Sequence, residues 1–202
     1  MTVKPGDVVF HCGKGLLARA VKLATRSPWS HVSLVIATCR DDFTILDVLD
    51  TRVVQAISRH RGDHTWHARA PVLRAGWRRS QWFEKDGSPK DIAREHVVRQ
   101  ALDLHSTLPR EYPGLELLAY VPGVRRTALG RRILRHTDRM VCSALVAAAW
   151  YSMGLRWFDN DGDEISPDWA DPGTMWRQAC KDAWPVVETK EHYNGRPEHT
   201  YL

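Results

Sequence analysis

Arg139-Met140-Val141-Cys142-Ser143-Ala144-Leu145-Val146-Ala147-Ala148-Ala149-Trp150 is the stretch on which the reading of this chain turns. Asp138 and Arg139 are polar, strong helix formers follow, and Gly154 ends the run, so the pattern predicts a helix with Cys142 in its first turn. At such a position the unpaired backbone N–H groups and the positive dipole end favour thiolate over thiol, and the thiolate is the nucleophile. The same position also suits a small buried hydrophobe, which is the commonest fate of a free cysteine.

A second stretch bears on that choice: Ser27-Pro28-Trp29-Ser30-His31-Val32-Ser33-Leu34-Val35-Ile36. Pro28 stops a preceding helix, and the β-branched residues from His31 onward predict a strand with His31 at its start. A histidine there can act as general base toward a cysteine that is distant in sequence and near in the fold. Gly6-Asp7-Val8-Val9-Phe10, then Trp29-Ser30-His31-Val32, then Val141-Cys142-Ser143-Ala144-Leu145-Val146, in that order, resemble the circularly permuted NlpC-type papain-like cysteine hydrolases. In that family the His precedes the Cys. The resemblance covers most of residues 4–180 and is weakest over about 55–135.

The resemblance implies an α+β fold, with an antiparallel sheet packed against the helix that carries the cysteine. It implies Cys142 as nucleophile, His31 as base, and a polar residue on the following strand as the group that orients the base. Asp47 occupies the matching place in Ile45-Leu46-Asp47-Val48, with Asp50 as the runner-up. The family is similar to peptidoglycan amidases and peptidases on one side and to lecithin:retinol-type acyltransferases on the other, and both work through a thioester. The implied activity is a thiol hydrolase or acyltransferase acting on an amide or ester bond of a lipid or acylated substrate. A peptidoglycan stem-peptide amidase or endopeptidase is the alternative, and a catalytically idle binding module is the alternative of another class.

Composition sets the outer bounds. At 202 residues, with 43% hydrophobic and 26% charged residues, the chain fits one globular domain over 1–202. Cys12, Cys39, Cys142 and Cys180 are scattered without a C-x-x-C pair, which argues against a zinc knuckle or a disulfide framework, and no cofactor is implied. The N-terminal residues carry no apolar signal core and no stretch has bilayer length, so the expectation is a chain that is cytoplasmic at synthesis. The net charge of +5 favours an anionic partner. Six arginines lie within 125–139; Arg135 and Arg139, just before the thiol, and Trp29, beside His31, are the candidate substrate contacts for an anionic or acylated group, with a membrane surface or cell wall as possible setting. Nucleic acid is the weaker partner class, because no recognised motif accompanies the arginines and tryptophans.

The rest of the chain supplies the frame. Val8-Val9-Phe10 predicts a strand, and the apolar spacing of Leu16, Leu17, Ala20, Val21 and Ala24 predicts an amphipathic helix over 15–25 that packs on the sheet. Residues 43–49 return as the second strand of a hairpin after Arg40-Asp41-Asp42. Ser88-Pro89 predicts the start of a helix over about 89–106. His60, His64 and His67 would share a helix face, but Gly62 and their β-leaning neighbours argue against that helix and against a metal site there. Asp159-Asn160-Asp161-Gly162-Asp163-Glu164 lacks calcium-loop spacing and reads as a polar turn, while Ile165 to Pro172 resembles the segment that closes the permuted domain. A late strand follows Pro185.

Overall fold

The computed structural model describes residues 3–14, 16–39, 42–46, 54–58, 65–73, 81–107, 142–159 and 161–190. Its centre is an antiparallel sheet built from the β-branched runs of the sequence: β1 (Val8–Cys12), β2 (His31–Cys39), β3 (Asp42–Leu46), β4 (Val54–Ser58), β5 (Thr65–Arg69) and the late β8 (Val186–Lys190). They lie in the order β4-β3-β2-β1-β5-β8, and a two-stranded pair, β6 (Trp157–Phe158) with β7 (Glu164–Ile165), stands apart. Four helices are described: α1 (Leu16–Thr25), α2 (Asp91–Thr107), α3 (Cys142–Ser152) and α4 (Pro172–Lys181). The architecture is α+β, as the sequence led us to expect.

Register sorts the sheet's side chains into two faces. Val8 opposes Leu34 and Phe10 opposes Val32, and these four share a buried cluster with Leu145, Val146, Ala147, Ala149 and Trp150 of α3. One residue along, Val9 opposes Ser33 and His11 opposes His31; Val9 and Val35 belong to a second cluster with Val3, Trp66 and Ala68. Since successive strand residues alternate, α3 packs on the Val32–Leu34 face while His31 and Ser33 belong to the other. That α3 is buried almost throughout follows from its composition, for a helix apolar on every side has no face to give to water.

One end of α3 is tied to the sheet. The Trp150 indole N–H donates to the Gly6 carbonyl at 3.1 Å, and the Gly6 N–H donates to the Val35 carbonyl at 2.8 Å. Gly6 holds φ +88°, and a Cβ there would stand 3.3 Å from both Trp150 and Arg94. Glycine is needed at this crossing for its backbone and for its lack of a side chain. Beside it, Arg94 of α2 donates to the Asp7 carboxylate at 2.6 Å and to the Pro5 carbonyl at 3.0 Å, and all but a trace of this ion pair is buried.

Several boundaries differ from expectation. α2 begins at Asp91, because Pro89 bridges to Phe83, the Ser88 hydroxyl donates to Asp86, and the Lys90 N–H donates to the Trp82 carbonyl. α1 buries only part of the stripe that its spacing suggested: among the described side chains, Val21 and Ala24 are half-buried while Leu16 and Ala20 are exposed. It docks through Ala18, Lys22 and Thr25: Ala18 abuts Gly13, Lys22 donates to the Gly13 carbonyl, and the Thr25 carbonyl accepts from Arg177 of α4. Leu16 and Ala20 therefore face outward. His67 lies on β5, so no helix aligns it at i, i+4, i+7 spacing; His60 and His64 lie outside the described residues. Asp159 folds as a polar turn, its carboxylate accepting from the backbone N–H groups of Asp161 and Asp163.

Candidate active site

Cys142 is the first residue of α3 and is 5% exposed. Its backbone N–H is one of those left without an intrahelical partner at a helix start, so thiol and donor arrive together. His31 is the first residue of β2 and is 7% exposed. α3 packs directly against β2, so the helix opened by the cysteine lies on the strand opened by the histidine. From the Trp150–Gly6–Val35 tie, eight helical residues lead back to Cys142, about 12 Å. Four strand residues lead back from Val35 to His31, about 13 Å.

The surroundings of His31 come from β1. The His11 ring stands 5.4 Å from the His31 ring, and its Nε2 lies 2.9 Å from the Ser33 hydroxyl. Buried His31 and Ser33 and half-buried His11 thus form a polar row on the face opposite Val32 and Leu34. His11 was not singled out by sequence reasoning. It sits just past the Val8-Val9-Phe10 run, and only the pairing register brings it opposite His31.

Trp29 does not form an open wall. It is 4% exposed and packs among Phe10, Trp176 and His67, with ring separations of 6.2, 4.9 and 5.0 Å. The indole is taken up by the core, where burial of a large aromatic contributes most. Arg69 of β5 lies over Trp176 at 4.3 Å and donates to the Trp184 carbonyl; burial pulls its guanidinium below the ordinary arginine value. Asp47, Asp50, Arg135 and Arg139 lie outside the described residues.

The other thiols differ in setting. Cys12 is half-buried with the Lys22 ammonium 3.5 Å from its sulfur, and Cys180 is exposed. Although Cys180 is exposed as a residue, partial desolvation pushes its thiol up, with Arg69 acting in the opposite sense.

No family model matches the chain, and no curated protein matches it. Among solved structures it is similar to the metalloprotein yiiX from Escherichia coli O157:H7, DUF1105, with a TM-score of 0.43 and 14% identity over 94% of this chain and 88% of that one. No helix among the described residues is long and apolar enough to cross a membrane.

Proposed function

We propose that the protein is a permuted papain-like thiol hydrolase or acyltransferase, working through a thioester on Cys142. The observation that carries the reading is the packing of the helix headed by buried Cys142 on the strand headed by buried His31. In this reading His31 removes the thiol proton and the sulfur attacks the carbonyl carbon of an amide or ester. The Cys142 backbone N–H donates to the developing oxyanion, and the imidazolium returns its proton to the departing amine or alcohol. Water or a second acceptor then attacks the thioester, with His31 again taking the proton, and the sulfur leaves. Asp47, or Asp50, orients the imidazole as the family resemblance implies, and Arg135 and Arg139 bind an anionic part of a lipid or acylated substrate.

The register sets one condition on this chemistry. His31 stands on the face turned from α3, so its ring must reach the thiol past the end of β2 instead of through the sheet. Its place as the first residue of the strand leaves that route open.

The test is acyl transfer from an activated ester, p-nitrophenyl butyrate, to the protein, read by intact mass and peptide mapping. A butyryl adduct on Cys142 is expected, absent in Cys142→Ala and formed at least about 100-fold more slowly in His31→Ala, since loss of a general base costs on the order of 100-fold or more. Acylation of Cys180 or Cys12 in preference to Cys142, or an unchanged rate in His31→Ala, defeats the proposal.

A further inference from the structure

We propose that the outward face of α1 docks the protein on an anionic lipid surface. Leu16 and Leu23 are 85% and 81% exposed, the most exposed large hydrophobics among the described residues. They stand seven residues apart, two helical turns, so both project from one side of α1 about 10 Å from each other. Ala20, also exposed, lies between them on the same side. The opposite side, Ala18, Lys22 and Thr25, is fastened to Gly13 and to Arg177, so the helix cannot roll to bury its leucines.

Charge selects the occupant. Arg19 on α1, and Lys14 and Arg26 just beyond its two ends, are exposed and have no acidic partner among the described residues, and residues 14–26 contain neither Asp nor Glu. Lys22 is different, since its ammonium is turned back onto the Gly13 carbonyl. Two exposed apolar side chains on a segment with exposed cations and no acid match the boundary of an anionic bilayer, where leucines enter the acyl region and cations stay with the headgroups. A second copy fits poorly: a two-fold contact on this patch would set Lys14, Arg19 and Arg26 against their own counterparts. This docking is independent of the chemistry at Cys142, and its test involves no turnover.

The experiment is co-sedimentation of the full chain with sucrose-loaded vesicles of phosphatidylcholine, alone or with phosphatidylserine at about 30 mol%, at ionic strengths of about 0.05 and 0.5 M. The protein should pellet with the phosphatidylserine vesicles at low salt, remain in solution with phosphatidylcholine alone, and dissociate in large part at high salt. The double variant Leu16→Ser/Leu23→Ser, which keeps every charge, should lose binding by more than about tenfold. Lys14→Gln/Arg19→Gln should flatten the salt dependence. Failure to pellet with anionic vesicles at low salt, or a serine variant that binds as the parent does, overturns the proposal. Self-association in sedimentation velocity that disappears in the serine variant overturns it too and gives the face to a second copy.

Discussion

Asp7 shows what a single residue can carry that its neighbours in sequence do not announce. In Pro5-Gly6-Asp7 it reads as part of a turn, yet it is buried and paired with Arg94, 87 positions away. Burial pushes its carboxyl above the ordinary value of 3.8, and the Arg94 guanidinium pulls it back without prevailing. The folded state thus holds the Asp7 proton more tightly than the unfolded one, so this group's contribution to stability falls as pH rises through the interval above 3.8. Arg94→Ala removes the opposing pull and leaves a buried, uncompensated carboxylate. The expected loss is about 3–5 kcal/mol near neutral pH. Because Asp7 can then escape by taking a proton, the loss should shrink as the pH is lowered, and urea titrations at several pH values would show it. A loss independent of pH would mean that Arg94 acts only through packing and its bond to Pro5. Cys142 and His31, by contrast, were legible as residues, since each sits at a boundary marked by local chemistry: helix formers after Arg139, and Pro28 before a β-branched run.

Among the elements, α3 was the most legible, because a run of alanines with Leu145, Val146 and Trp150 fits only a buried helix. α1 was legible as a helix but not in its orientation. Its apolar stripe suggested one docked face, and contacts at Gly13 and Arg177 turn the helix so that Leu16 and Ala20 of that stripe are exposed, which no periodicity encodes. The seat of Trp150 of α3 on the turn before β1 depends on Gly6, whose sequence signal, a Pro-Gly turn, gave its backbone but not its neighbours. Gly6→Ala puts a side chain at φ +88° and within 3.3 Å of the Trp150 ring. A cost of about 2 kcal/mol is expected from the backbone term together with crowding. Thermal unfolding would register it as a lower midpoint, and an unchanged midpoint would show that Trp150 yields freely.

At the scale of the molecule, the hairpin β2–β3 was readable from adjacent sequence, whereas the order β4-β3-β2-β1-β5-β8 was not, because β1 meets β5 and β5 meets β8 across long stretches of chain. β8 pairs with β5, Trp66 opposing Lys190 and Arg69 opposing Val186, with a register shift between Ala68 and Arg69. A chain stopped after Pro185 would leave the β5 edge bare, and such edges recruit other strands. The expected outcome is a lower urea midpoint and concentration-dependent aggregates in sedimentation velocity; a monomer of unchanged stability would show that β8 is dispensable. The same pairing imposes an order on biosynthesis. Roughly 120 residues separate Arg69 from Val186, so at about 5–20 residues per second β5 waits on the order of ten seconds for its partner, and during that interval the nascent sheet presents an open margin to the ribosome's surroundings.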